Sequence, residues 1–445
     1  MNARTRVIEP PSFAEATRTF ARIGILSFGG PAGQIALMHR ILIDEKGWLD
    51  EKRFLHALNY CMLLPGPEAM QLATYTGWLL HGVRGGLVAG LLFVLPGALF
   101  ITFLSALYLL YGQVTLVQGL LFGLKAAVLA VVVEALIKVA RRALRSAPLA
   151  LLAVAAFIAI AFVKMPFPLV IALAALVGAL GPRFGKGRAG RSEDTDPPAL
   201  PMPEWTQPTT RRFLLTLTVW LAIWFVPILA ILAWFGSGHV FADESLFFSK
   251  MATVTFGGAY AVLAYVAQQA VEVYGWLKPD EMLTGLGLAE TTPGPLILVL
   301  VFVGFLGGAR LSGWEPLAGG LAGAAVTLWF TFVPCFLWIF IGAPYVETLR
   351  NVRWLAGALA AVTAAVVGVI ASLGLWFALH VLFGALSDLR IGPLVLPWPD
   401  WATLDLAAAI IAAASGVALI RYKANMLMVL AAAALGGAAW TLLRS

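Results

Sequence analysis

The chain has 445 residues, of which 61% are hydrophobic and 12% charged, and its mean hydropathy is +0.89. A soluble domain carries about 25% charged residues. The deficit here runs the whole length, which excludes a soluble body on a single anchor, and at roughly 20 apolar residues per crossing there is material for about a dozen crossings.

In a soluble chain, the net charge of +7 would raise nucleic acid as a partner. Here most Lys and Arg fall in short segments between apolar runs, where they set orientation, and no nucleic-acid-binding motif is present. The two cysteines, Cys61 and Cys335, lie inside apolar runs and form neither a disulfide framework nor a metal-ligand spacing, so no cofactor is implied. The first apolar stretch follows Arg18 and Arg22 and leads into no small-residue cleavage site, which predicts no cleaved signal peptide. The simplest location is a bacterial inner (cytoplasmic) membrane, crossed many times, with the lipid bilayer as the main partner.

The first apolar segment, residues 13–43, is interrupted by Ser27-Phe28-Gly29-Gly30-Pro31, and the second, 54–80, by Pro65-Gly66-Pro67. Segments 87–111 and 114–137 follow. Around Lys164-Met165-Pro166-Phe167-Pro168 lie two spans of roughly 15 residues each, short for an upright crossing, which suit a tilted hairpin or a pair of half-helices. Residues 183–212 are rich in charge, Pro and Gly and read as a solvated linker. One apolar helix, 213–235, comes next, and the pattern restarts from Leu246.

The second half repeats the first at a constant offset of 228. Ser27-Phe28-Gly29-Gly30 falls on Thr255-Phe256-Gly257-Gly258, Gly47-Trp48-Leu49 on Gly275-Trp276-Leu277, and Pro65-Gly66-Pro67 on Pro293-Gly294-Pro295. Arg22 falls on Lys250 and Asp44 on Glu272; after a short insertion Gly123 matches Gly357, and Lys164 lies near the counterpart of Lys423. Generic apolar bias would not place Gly, Pro and Trp in register. Each half holds about six segments, so the extra helix 213–235 reverses the second half, giving an inverted-topology repeat. The predicted fold is all-α and polytopic, with about 13 segments. Its parts are an N-terminal repeat (1–182), the linker (183–212), a connecting helix (213–235) and a C-terminal repeat (243–445). The positive-inside rule puts the linker in the cytoplasm. It does so whether the Pro-Gly-Pro segments span or re-enter, so the side of the N-terminus stays open.

Inside a bilayer, backbone leaves helical geometry only where it is buried in protein or lines a wet cavity. Ser27–Pro31 and Pro65–Pro67 are such breaks, because proline removes an N–H and glycine permits positive φ. Each break leaves a half-helix N-terminus with free N–H groups and partial positive charge, which suits an anion. Two breaks in each of two inverted halves would bring four such ends together near the midplane. A tetrahedral dianion could then be held by backbone donors and the hydroxyls of Ser27 and Thr255. The competing view is that these residues only kink helices or allow close packing.

Arg22 and Lys250 each precede a break by five residues and suit either anion guidance or snorkelling at a helix end. Glu68 follows the first Pro-Gly-Pro and Glu290 precedes the second. Either carboxylate could couple proton binding to anion release, although a first-turn glutamate such as Glu68 is also favoured by the helix dipole alone. Lys125 is isolated in an apolar run and should face the interior or a cavity; its repeat counterpart is Leu359, so any role would be asymmetric. Glu134 and Lys138 are placed to pair along one helix face.

These residues resemble the long-chain chromate ion transporter family. The match is carried by Phe28-Gly29-Gly30-Pro31 with Gly33-Gln34, by Pro65-Gly66-Pro67 with Glu68 and Gln71, by Phe256-Gly257-Gly258 and by Thr292-Pro293-Gly294-Pro295. It covers almost the whole chain. The resemblance implies export of chromate from the cytoplasm, driven by membrane potential or a proton gradient, with sulfate as a competing analogue and the paired motifs as the substrate path. Ala259 and Val262 stand in the second half where Pro31 and Gln34 stand in the first, so a role for either does not carry over. A sulfate or organic-anion transporter and a channel are alternatives. A membrane-embedded enzyme is more remote, since the five histidines are scattered and no H-E-x-x-H occurs. The oligomeric state stays open, a homodimer being one option.

Overall fold

The computed structural model describes residues 11–181, 204–256, 259–345, 353–392 and 394–444. Most of the linker, and Gly257 and Gly258 of the second break, lie outside the described residues. The polytopic helical expectation holds: among the described residues there are sixteen α-helices.

The first apolar segment forms α1 (Phe13–Leu26) and α2 (Gly30–His39), divided at the Ser-Phe-Gly-Gly-Pro run, and α2 continues into a π turn at Arg40–Glu45. Ser12 caps α1 by accepting the Glu15 N–H, and Asp50 caps α3 (Glu51–Cys61) by accepting that of Arg53. After Pro65-Gly66-Pro67 comes α4 (Glu68–Tyr111), which is two helices, 68–80 and 83–111, joined at His81 and Gly82; Gly82 has φ 63°. Then follow α5 (Thr115–Ala143) and the short α6 (Ala147–Ala161) and α7 (Phe167–Leu180). The connecting helix α8 (Thr210–Phe235) starts three residues earlier than the apolar run suggested.

The second half returns to the same plan. It contains α9 (Val240–Val254) and α10 (Ala259–Ala267), with a π turn at Gln268–Val273, and α11 (Pro279–Glu290). The remaining helices are α12 (Val299–Leu311), α13 (Pro316–Gly342), α14 (Arg353–Leu382), α15 (Leu406–Gly416) and α16 (Met426–Arg444). The duplication reaches fine detail. The two π turns lie at the same offset of 228. Among the described residues, the non-glycine positions with positive φ are Lys164 (57°) and Lys423 (52°), at the tips of the α6–α7 and α15–α16 hairpins.

The halves exchange partners. Helix α14 packs on α6 and α7 of the first half, while α5 packs on α15 and α16 of the second. Bare backbone makes both contacts: a methyl group on Gly123 of α5 would strike the Ala433 carbonyl of α16, and one on Gly178 of α7 would strike the Gly357 carbonyl of α14. Close approach through small residues is how helices associate where lipid removes the hydrophobic drive.

One element departs from the all-α expectation. Strands β1 (Leu386–Ile391) and β2 (Leu394–Pro399) form an antiparallel hairpin between α14 and α15, with Ile391 opposite Leu394. Asp388, Arg390, Pro397 and Pro399 rule out a span there, and prolines are tolerated because each strand of a two-stranded hairpin is an edge. The hairpin is tied to the end of α6 by Val395 N–H donating to the Phe162 carbonyl at 2.8 Å.

Among the described residues, six helices are long and apolar enough to cross a membrane (α4, α5, α8, α13, α14 and α16), and shorter apolar helices include α6 and α7. Leu99, Leu151, Leu180, Leu229 and Trp234 are exposed on the outside, an apolar surface that suits hydrocarbon rather than water. Phe20, Ile23, Phe93, Phe248 and Phe302 fill the interior.

Gly123→Leu should therefore destabilise the purified protein by about 3 kcal/mol, read as a lower Tm in detergent. Gly436→Leu, where added carbon meets nothing within 4 Å, should leave Tm unchanged.

Candidate functional site

Helix α1 ends at Ser27 and α9 at Thr255, and the two ends are built alike. Ser27 Oγ donates to the Ile23 carbonyl at 2.6 Å, and Thr255 Oγ1 donates to the Met251 carbonyl. Each hydroxyl thus spends its one proton inside its own helix. What each break leaves without a helical partner is its carbonyl, and the donor comes from the other half. Gly294 N–H donates to the Ser27 carbonyl at 2.7 Å, and Gly66 N–H to the Thr255 carbonyl at 2.8 Å. This is one contact made twice with the halves exchanged, as a two-fold relation between copies requires.

The Pro-Gly-Pro loops can reach across because glycine takes positive φ, 121° at Gly66 and 92° at Gly294. Each loop lies against a proline-bearing helix of the opposite half. A Cβ on Gly294 would come 3.3 Å from the Phe93 carbonyl, beside Gly97 of α4, and one on Gly66 would come 2.7 Å from Cys335 Sγ of α13. Pro65 is half-buried and Pro67 buried; Pro293 is half-buried and Pro295 buried. Thr292 is buried, with its hydroxyl donating to the Leu288 carbonyl.

Two glutamines brace these loops, one on each. Gln34 Nε2 donates to the Gly294 carbonyl at 2.6 Å and more weakly to that of Ser27, and Gln71 Nε2 donates to the Pro65 carbonyl at 2.8 Å. Their Oε1 atoms are buried without a donor, and the buried hydroxyls of Thr76 and Thr331 have no partner either. Such atoms retain hydrogen-bonding capacity for a polar ligand. The sequence marked Gln34 and Gln71 only as motif members; the signal for a bracing role is their spacing a few residues beyond each break.

The N-terminus of α2 opens outward. Gly29, its cap residue, has φ 88°, Gly30 has φ 74°, and a methyl on either would meet nothing within 4 Å. Phe28 and Phe256 are half-buried beside the two breaks. Each break is therefore joined to the Pro-Gly-Pro loop of the opposite half, and Gln34 of α2 reaches the Ser27–Gly294 pair. The predicted charges are spread more widely. Arg22 pairs with Glu45 at 2.8 Å on an exposed surface, and Lys250 lies over the Tyr265 ring, 5.8 Å from its centre. Glu68 opens α4, half-buried at its positive end. Glu290 is buried and accepts a hydrogen bond from Tyr260 of α10. Lys125, partly buried, faces Asp280 of α11 at 3.7 Å, and Glu134 pairs with Lys138 at 2.6 Å.

A further ion pair, between residues of two neighbouring helices, also had no sequence signal. Arg310 of α12 grips Glu281 of α11 with both terminal nitrogens, and Glu281 also accepts from Tyr108 at 3.0 Å and from the Lys278 N–H. This bidentate pair locks α11, α12 and α4 together.

Broken helices clasped between two copies of one unit, inside an apolar shell, define a polytopic, predominantly helical membrane protein. The chain belongs to the chromate transporter family, which matches residues 14–179 and 243–438, one stretch in each half. It is 31% identical to the chromate transport protein of Pseudomonas aeruginosa over 374 residues, 83% of this chain and 82% of that one. Identity to the probable chromate transport protein of Synechococcus elongatus is 27% over 369 residues, 82% of this chain and 85% of the relative. The chromate transport protein of Cupriavidus metallidurans is 27% identical over 351 residues, 79% of each chain. No solved structure matches.

Gly66→Ala should cost about 2 kcal/mol or more, combining left-handed strain with the collision at Cys335. It should lower Tm further than Gly294→Ala, whose nearest neighbour is 3.2 Å away. Cys335→Ala in the Gly66→Ala background should recover part of the loss.

Proposed function

We propose that this protein is a secondary active transporter that exports chromate across a bacterial inner membrane and so confers chromate resistance. The observation that supports this is the exchanged pair of hydrogen bonds, Gly294 to Ser27 and Gly66 to Thr255, by which each break is joined to the Pro-Gly-Pro loop of the other half. The repeats, 1–182 and 243–445, lie in opposite orientations, reversed by α8, with the linker in the cytoplasm. The dianion is held by backbone donors in the first turn of α2, at Gly29 and Gly30, where space is open and the helix end is positive. Ser27 and Thr255 act through their carbonyls as anchors, since their hydroxyl protons are already used. Arg22 and Lys250 serve the approach of the anion rather than its seat, and Glu68, Lys125 and Glu290 tune its release.

An inside-negative potential of about 100 mV drives a dianion outward and releases about 4.6 kcal/mol, from about 2.3 per charge. No phosphate-binding loop for ATP occurs in the sequence, and no catalytic chemistry is required. Access alternates as one half rocks against the other. Sulfate, of the same charge and shape, competes.

Expression in a chromate-sensitive host should lower intracellular chromate, and excess sulfate should reduce the effect. Gly29→Leu or Gly294→Leu should abolish it while the protein stays in the membrane. Unchanged chromate content with well-inserted wild type would refute export.

A further inference from the structure

Glu244 of α9 is fully buried, and neither carboxylate oxygen has a hydrogen-bond donor within reach. The hollow around it is made of glycine. A Cβ on Gly307 of α12 would come 2.9 Å from Glu244 Oε1, and one on Gly323 of α13 would come 3.2 Å from it. Helices α12 and α13 themselves meet through bare backbone, Gly308 against the Gly319 carbonyl and Gly304 against that of Gly323. Packing alone does not require a carboxyl here. At the repeat-equivalent place, offset by 228 within the matched runs Phe13-Ala14-Glu15 and Phe241-Ala242-Asp243, the first half has Ala16, also buried.

The surrounding charges do not neutralise an ionised Glu244. On α9 the neighbours are Asp243, which is of like sign and acts on it, and His239 at the helix cap. Tyr274 faces Asp243 from the loop before α11. From α12, Arg310 is taken by Glu281, and from α13, Glu315 is engaged at its own helix cap. Helix α8 carries its arginines, Arg211 and Arg212, at the end remote from its junction with α9. A carboxylate in such a place is far costlier than the neutral acid.

We propose that Glu244 is a proton-binding site of the transport cycle, carrying a proton while α12 and α13 close over it and releasing it when α9 moves away. This rests on the transporter reading above. The link to substrate is α9 itself, a single uninterrupted helix whose far end is Thr255, the residue that accepts the Gly66 N–H. Displacement of α9 at Glu244 is thus delivered to the break. The proton moves inward as the anion moves outward, so both charge movements draw on the same potential.

The test uses full-length protein in liposomes with a trapped pH dye. In wild type, chromate flux should move protons the opposite way, and an imposed pH gradient should drive chromate accumulation. Glu244→Gln, a permanent copy of the neutral form, should keep chromate–chromate exchange but lose proton movement and pH-driven accumulation. Glu244→Ala, which copies Ala16, is the second variant if the first is not recovered from membranes. Wild-type proton movement in either variant overturns the proposal. If wild type moves no chromate at all, the transport reading fails separately. Glu244 is then judged by the infrared C=O stretch of a neutral buried carboxyl: its loss in Glu244→Gln supports the proton site, and its absence from wild type overturns it.

Discussion

Two backbone hydrogen bonds, Gly66 to Thr255 and Gly294 to Ser27, are the constraint on which the rest of this structure depends. A helix that stops inside a membrane leaves carbonyls that no water can satisfy, and each such group costs several kcal/mol. This chain stops two helices there and satisfies each from the other copy. Neither break has this donor within its own half. The positive φ of the two glycines, the proline-flanked loops and the bracing of Gln34 and Gln71 are the local means by which that exchange is reached.

The frame is symmetric, but the side chains placed on it are not. Gln34 has Val262 as its counterpart, Lys125 has Leu359, and Glu244 has Ala16. Arg22 finds Glu45, whereas Lys250 at the same offset finds the face of Tyr265, because Val273 stands where Glu45 would be. A duplicated scaffold supplies the geometry, and the side chains set on it distinguish one copy from the other.

Much of this was legible in the residues. Gly and Pro act through the local backbone, so the breaks at Ser27–Pro31 and Pro65–Pro67 and their repetition could be read directly, as could the short α6–α7 hairpin. The exchange of partners could not, since nothing in a linear offset says which copy answers a carbonyl. The same limit hid the direction of the Ser27 and Thr255 hydroxyls, which turn back on their own helices. It also hid the Arg310–Glu281 clasp, whose members carry no shared period. The β-hairpin was missed for a different reason: its alternation is short and interrupted by proline, and apolar runs dominate on either side.

The exchange between α7 and α14 has a consequence during synthesis. Gly178 meets its partner surface only at Gly357, far downstream in the chain. At ribosomal speeds of about 5–20 residues per second, the first hairpin waits on the order of ten seconds in the bilayer before its mate has been made. Through that interval its glycine face is covered by lipid alone, and the insertion machinery or a neighbouring nascent chain has the first opportunity to occupy it.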